Sequence, residues 1–412
     1  MSAPPRSLAP FIVVLMLAGL SSGLARVITS LQAVALDAGP LELGLLAASQ
    51  SLGLVFMSLP SGTLVRRHGS RRVFMAGSLA GGLACAAVPL VPARSFLLVA
   101  AATIGLCMPL RFVATHVVAL RRLELDGGER AGWYRGSHLL SMFLVGPAVA
   151  VPAATVLGLA AAWWLAAASF LLAAAVAPLA LGGEPARPRG DEGMAGSARR
   201  DPEAPALVAN EFAAQGAFTT FSFFIVPIAM DRFGLSAAAA TGLLSAQATS
   251  YVLALFALGG LAVRWPRARF VLVAYGAVAA GLLVLGLGRS GAALWGGSVL
   301  LGVALGLVQT DNVVRAARVG SRIGQDSAAG IQSLSGSSGG LASGIVGGVI
   351  GQRLGAQGLF VALAPLFGVL ACHELFRAGI TISRAPSEAA AVLGSASSRS
   401  RASASAPGAC EG

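Results

Sequence analysis

Four of the charged residues that lie inside otherwise apolar stretches of sequence are the first candidates for chemistry. They are Arg26, Arg111, Glu211 and Asp311, with the amides Gln215 and Gln309 close by on the same stretches. A charge in such surroundings is costly unless it faces a water-filled cavity or a partner, so it marks a candidate functional site. We expect Glu211 to take up and release a proton, with Arg111 stabilising its ionised form in one conformation and withdrawing in another. Arg26 and Arg111 would also suit an anionic ligand.

Other polar residues on these stretches follow the repeat of a helix. Glu211, Gln215, Thr219 and Ser222 are spaced four, four and three residues apart, which aligns them along one helix face. A polar stripe on an apolar helix is what a hydrated pathway requires. The alternative is that Glu211 and Asp311 pair with nearby arginines at the edge of a membrane.

The elements that must position these residues are membrane-spanning helices. The chain is 56% hydrophobic and 11% charged, with a mean hydropathy of +0.79, whereas soluble domains carry about 25% charged residues. Apolar stretches long enough to cross about 30 Å of hydrocarbon recur along the whole chain. We therefore predict an all-α integral membrane protein with twelve transmembrane helices. The predicted spans are 9–29, 42–64, 73–93, 96–118, 137–157, 159–182, 206–229, 236–262, 270–288, 291–314, 330–351 and 355–377.

The distribution of arginine predicts the orientation of the chain in the membrane. All 29 basic residues are Arg, and most fall in the tails and in alternate loops. The loops on the other side hold only Arg94, Arg232, Arg289 and Arg353. By the positive-inside rule both termini are then cytoplasmic, and the composition is typical of a bacterial inner-membrane protein. Because the charge is spread between spans and not gathered in one patch, it does not indicate a nucleic-acid partner.

The chain divides into two halves that resemble each other. Residues 1–182 form one six-helix half and 206–378 the other. The Pro- and Gly-rich segment 183–205 is a predicted cytoplasmic linker, and 379–412 a disordered cytoplasmic tail. A shift of 198 residues places Gly62, Arg66 and Arg71 of the first half on Gly260, Arg264 and Arg269 of the second. Such internal duplication is common in transporters.

The connection after the second span carries a recognisable motif. Gly62, Arg67, Gly69 and Arg71 fall at the positions of the signature G-x-x-x-D-R-x-G-R-R. The segment resembles the signature loop of the major facilitator superfamily at its usual place. In that family the motif carboxylate helps to lock the inner ends of the two halves together, and here Arg66 replaces it. The resemblance therefore implies a lock that is absent, replaced or reversed in sign.

A second motif lies in the fifth span, where Gly146 and Pro147 resemble the G-P motif of antiporter-type, exporting members of the same superfamily. Proline lacks an N–H and kinks a helix locally, and glycine permits close packing at the kink. A generic packing kink is the alternative interpretation.

The resemblance implies a transporter with two pseudo-symmetric six-helix halves, in which spans one, four, seven and ten line a central cavity. Those spans hold Arg26, Arg111, Glu211 and Asp311. The expected activity is proton-coupled efflux of a small organic molecule by a monomer in the lipid bilayer, driven by the proton gradient without a cofactor. Import of a sugar or organic acid is the alternative, and a membrane enzyme or a non-transporting sensor is less favoured. The four cysteines show no metal-ligand or redox spacing, and no catalytic set is present.

Overall fold

The computed structural model describes residues 8–37, 40–91, 93–126, 128–181, 201–355 and 357–377, and within these ranges it contains no strand. Twelve long helices follow one another, six on each side of the predicted linker. They are α1 Leu8–Ala35, α2 Pro40–His68, α3 Ser70–Ala87, α4 Arg94–Asp126, α5 Ala131–Leu157, α6 Leu159–Ala180, α7 Ala204–Arg232, α8 Ala237–Leu258, α9 Arg267–Leu287, α10 Gly291–Ile323, α11 Gln325–Leu354 and α12 Gly358–Arg377. The predicted all-helical membrane fold is confirmed.

Ten of the described helices are long and apolar enough to cross a membrane, and α2 and α11 are the two that are not among them. These two helices pack against each other across the two halves, where the hydroxyls of Ser58 and Ser333 lie 2.8 Å apart. A helix that faces protein over much of its length can carry Ser and Gly in place of lipid-facing apolar residues. Their composition therefore fits their position between the halves.

Several helices extend further than the apolar pattern predicts. The helices α4 and α10 continue to Asp126 and Ile323, so the arginines predicted in the following loops lie on helical extensions. The apolar run ends there, but Ala, Arg and Leu continue the helix because they are strong helix formers. On the other side of the linker α7 begins at Ala204, two residues inside the predicted linker. The rest of that linker, and the predicted tail 379–412, lie outside the described residues.

One face of the bundle, which we call the terminal face, holds both ends of the described chain. Arg122 near the end of α4 stacks over the ring of Phe11 near the start of α1, at 4.5 Å. Gln325, the first residue of α11, donates a hydrogen bond of 3.1 Å to Glu124 of α4. Since twelve helices alternate in direction, α12 ends on this face too.

The two halves are packed together on the side of the terminal face. On the terminal side Val14 and Val113 of the first half belong to the same buried cluster as Val313 and Ala328 of the second. The buried cluster of the first half nearer the opposite face contains, among the described residues, only first-half side chains. The contacts between the halves that the described residues show therefore begin at the terminal face and reach the middle of the bundle, where the rings of Phe143 of α5 and Phe218 of α7 lie 5.4 Å apart.

The helix α5 is interrupted by two π-helical segments, and each adjoins a proline. Ser141–Val145 precedes Gly146-Pro147, and Ala153–Leu157 follows Pro152. A proline removes one N–H from the helical ladder, and a π bulge accommodates the gap. Gly146 packs against Gly23 of α1 so closely that an added Cβ would lie 2.8 Å from its Cα. The glycine thus permits the close contact of α1 with α5.

Candidate functional site

Glu211 is the centre of a buried polar cluster in the second half. Its side chain extends from α7, and the residue is 3% exposed. Oε2 accepts hydrogen bonds from Gln309 Nε2 at 3.3 Å, Asn312 Nδ2 at 3.0 Å and Gln332 Nε2 at 3.0 Å. All three donors are neutral amides. A buried carboxylate held by amides, without an arginine in direct contact, can bind and lose a proton without breaking an ion pair.

The cluster reaches into the first half through a single hydrogen bond. His116 of α4 lies with Nε2 2.7 Å from Oε1 of Gln332. The amide oxygen of Gln332 can only accept a hydrogen bond, so His116 must donate from Nε2. The amide nitrogen of Gln332 in turn donates to Glu211. His116 also stacks on Phe112 at 5.2 Å, which fixes the plane of its ring. The bond connects the candidate proton site to the interface between the halves.

Beside His116 the interface encloses only a small cavity. It has a volume of about 20 Å³ and is lined by His116, Arg135 and His138, with apolar side chains that include Val313 of the other half. That volume suits about one water molecule. A small organic molecule cannot pass the terminal face in this conformation.

Asp311, predicted to lie on the transport pathway, does not belong to the Glu211 cluster in this structure. It is fully buried and pairs with Arg267 of α9 and with Arg315 of α10, the latter at 3.5 Å. Both arginines also bind Glu374 of α12, at 2.9 and 2.7 Å. The four side chains form a charge-balanced tetrad inside the second half. Membrane-edge pairing, the alternative interpretation, fits Asp311 and does not fit Glu211.

Arg111 lies in the core of the first half, away from Glu211 and Asp311. Its guanidinium donates to the hydroxyl of Ser78 at 3.0 Å and to that of Ser21 at 2.5 Å, and stacks over Phe170 at 4.2 Å. Its hydrogen-bond partners among the described residues all belong to α1 or α3. In this conformation the structure does not bring Arg111 to Glu211, because its side chain points between first-half helices. The predicted contact of Arg111 with the ionised Glu211 is therefore absent from this conformation.

Arg26 differs from Arg111 because it is exposed. It lies eleven residues after Leu15 on α1, which is almost a whole number of turns and about 16 Å along the axis. Leu15 lines the small closed cavity on the central axis. Arg26 therefore lies on the same helix face nearer the side opposite the terminal face, and the described residues offer its side chain no hydrogen bond or ion pair. Of the four charged candidates it is the exposed one, whereas Arg111, Glu211 and Asp311 are buried.

Gln215 and the rest of the α7 stripe face α11. Gln215 is half-buried, and its Cγ lies so close to Gly336 that a Cβ added to the glycine would be 3.1 Å away. A Cβ added at Gly340 would lie 3.0 Å from Oγ1 of Thr219. The glycines of α11 thus admit the polar side chains of α7. The stripe packs between two second-half helices more than it lines an open passage.

The signature segment is mostly helical. Gly62 is buried within α2, which continues through Arg66 and Arg67 to His68, and the turn is confined to Gly69. Gly69 has φ +83°, a conformation that glycine adopts without strain. Arg71 is the second residue of α3 and is exposed. Arg66 lies 3.9 Å from Asp326 at the start of α11.

The sequence analysis singled out neither Gln332 nor His116 as a site residue. The separation of Gln309 from Asp311 could have been foreseen, because residues two apart on a helix point about 200° apart. The spacing of four between Asp311 and Arg315 indicates an ion pair in the same way. Gln332 gives no such signal, because its role depends on how α11 packs against α4 and α7. Within the described ranges no three His, Cys, Asp or Glu side chains gather as a metal site would require.

Comparison with known proteins gives the family. The family model of the Major Facilitator Superfamily matches residues 11–318. The fold is similar to that of the transporter FucP in its outward conformation, at 15% identity and a TM-score of 0.73, covering 90% of this chain and 98% of that one. FucP of E. coli is described as a fucose:proton symporter. The human organic anion transporter MFSD10 is similar at 16% identity and a TM-score of 0.73, with 90% and 100% covered. No curated protein sequence matches the chain.

Proposed function

Because the chain belongs to the major facilitator superfamily, we propose that it is a secondary active transporter that moves a small organic molecule by alternating access. The family and the fold are those of transporters, and this carries the proposal. The face opposite the terminal face would admit the substrate, and rocking of the two halves would open the terminal face in turn. The transporter needs no catalytic residue and no cofactor, and works as a monomer in the bilayer.

The proposed driving force is the proton gradient, with Glu211 as the proton carrier. Its carboxyl group is buried and is held by three neutral amides. In the ionised form it orients Gln332, which accepts the bond from His116 of the other half. Protonation removes the charge that holds Gln332 in this orientation and so weakens closure of the terminal face. Proton binding and the change of conformation are coupled in this way.

The proposed substrate carries a negative charge, and Arg26 is the residue that would bind it. Arg26 is exposed on the central face of α1, without a partner among the described residues. Arg111, the other candidate, already donates to Ser21, Ser22 and Ser78. The similarity of fold to an organic anion transporter is in keeping with this class of substrate.

Efflux is the proposed direction, because Gly146-Pro147 resembles the motif of exporting members and lies at the close contact of α5 with α1. Import of a sugar or organic acid is the second candidate, supported by the similarity of fold to a fucose:proton symporter. The excess of arginine on the terminal face supports a bacterial inner membrane with both termini in the cytoplasm.

The first experiment compares small molecules inside and outside the source cells, with and without this gene. A compound retained inside the deletion strain and depleted from its medium supports efflux and identifies the substrate. A compound depleted inside and left in the medium supports import instead. Complementation by Glu211→Gln and by the wild type, at matched expression, separates loss of coupling from loss of protein.

A further inference from the structure

The connection between α2 and α3 meets α11 across the two halves. Nε of Arg66, in the last turn of α2, lies 3.9 Å from Oδ2 of Asp326, in the first turn of α11. The two side chains are 24% and 13% exposed, so water screens the pair only in part. A carboxylate at the start of a helix is also stabilised by the helix dipole. Compared with the signature motif, in which the acid is at the place of Arg66, the charges are exchanged.

A second ion pair occupies the equivalent place in the other half. The 198-residue shift places Arg66 on Arg264, which ends the short helix Leu261–Arg264 after α8. Nη2 of Arg264 lies 3.5 Å from Oε1 of Glu129, two residues before α5. Each half therefore presents an arginine after its second helix to a carboxylate at the start of the fifth helix of the other half. The recurrence under the internal symmetry makes a chance contact a poor explanation.

We propose that Arg66–Asp326 and Arg264–Glu129 form a duplicated latch of reversed polarity that holds the terminal face closed. The inference rests on the alternating access proposed above and is independent of the substrate and of the coupling ion. The two pairs are unequal. The side chains of Arg264 and Glu129 are 68% and 56% exposed, and an ion pair in water contributes little. The Arg66–Asp326 pair is the stronger of the two.

The reversed polarity has a counterintuitive consequence for mutagenesis. Arg66→Asp restores the residue that the signature motif carries, but it places two carboxylates against each other at the start of α11. Repulsion then replaces attraction, and the closed state loses population. Exchange of both charges, in Arg66→Asp with Asp326→Arg, restores an attractive pair.

The test measures opening of the terminal face directly. Ala119 of α4, 3% exposed beside the closed central cavity, is replaced by Cys in a chain whose four native cysteines have been replaced by Ser. Inside-out vesicles are treated with a membrane-impermeant maleimide, and the labelling rate reports access from the terminal face. We expect Arg66→Gln to raise the rate roughly threefold, since a partly exposed pair is lost. Arg66→Asp should raise it by about tenfold or more, because like charges then meet at short range.

The double exchange should return labelling to within about twofold of the starting chain, as expected where two side chains interact directly. Arg72→Asp is the matched control, with the same change of charge on the same face at an exposed position. Labelling of Arg66→Asp at the starting rate, or a doubly exchanged chain that labels as fast as Arg66→Asp, would overturn the latch. Flux in proteoliposomes tests the proposed transport separately. The latch can therefore be refuted by labelling while transport is confirmed by flux, and the reverse.

Discussion

Glu211→Gln should uncouple transport from the proton gradient while leaving the protein folded. The amide has nearly the shape of the carboxyl group and remains within reach of Gln309, Asn312 and Gln332. It cannot bind and release a proton at any ordinary pH. Because the carboxyl group is buried without an arginine in contact, its loss leaves no cation unpaired, and we expect the melting temperature to stay within a few degrees.

The size of the substrate gradient that the protein can maintain follows from the number of groups that carry a proton. The cluster contains one carboxyl group, so one proton accompanies each transport cycle. A difference of one pH unit corresponds to about 1.4 kcal/mol per proton, which supports about a tenfold substrate gradient. In Glu211→Gln that ratio should fall to about one, while exchange between equal pools of substrate continues.

The assay uses proteoliposomes with an imposed pH difference, and the substrate is measured on both sides at steady state. Glu211→Asp, which keeps an ionisable group on a shorter side chain, is the matched variant and should retain part of the gradient. If Glu211→Gln still accumulates substrate tenfold in response to one pH unit, the proton is carried elsewhere and the assignment of Glu211 is refuted.

Three further outcomes are expected. Asp311→Asn should destabilise the second half by about 3–5 kcal/mol, because it leaves Glu374 as the single carboxylate that balances Arg267 and Arg315, and denaturant unfolding compared with Glu211→Gln checks this. Arg26→Gln should raise KM for an anionic substrate at least about tenfold with little change in expression, whereas Arg26→Lys, which keeps the charge, should lose less. Burial opposes ionisation of Asp201, but hydrogen bonds from Arg322 and from the N–H groups of Glu203 and Ala204 outweigh it and hold the pKa of this carboxyl below its ordinary value. The ionised Asp201 therefore contributes fully to stability above its unfolded-state pKa, and this contribution is lost as the pH falls through the lower folded-state pKa. Acid unfolding followed by circular dichroism measures the loss, and Asp201→Asn should not show it.

Apolar spans and arginine counts predict the fold because the bilayer imposes length and composition on each helix separately. Glu211 and Gln309 were candidates for the same local reason, since each lies on a helix whose apolar surroundings make it conspicuous, and the structure places them within a hydrogen bond of each other. The partners of Arg111 were not predictable in this way. Its charge suggested a carboxylate partner, but three serine hydroxyls and an aromatic ring satisfy it, and none of these is unusual in an apolar span.

The contacts of the two halves differ in strength from the contacts within each half. Inside the second half, two arginines and two carboxylates form a buried tetrad that is costly to separate. Between the halves the described residues make the hydrogen bonds His116–Gln332, Ser58–Ser333 and Gln325–Glu124, with two ion pairs that are partly or largely exposed. Each such contact contributes about 1 kcal/mol. Reversing a 99:1 population of two conformations takes about 5.5 kcal/mol, so a few contacts of this size, together with loss of the charge on Glu211, are enough to shift it. Strong contacts within a half and weak contacts between the halves allow the two halves to rock as rigid bodies.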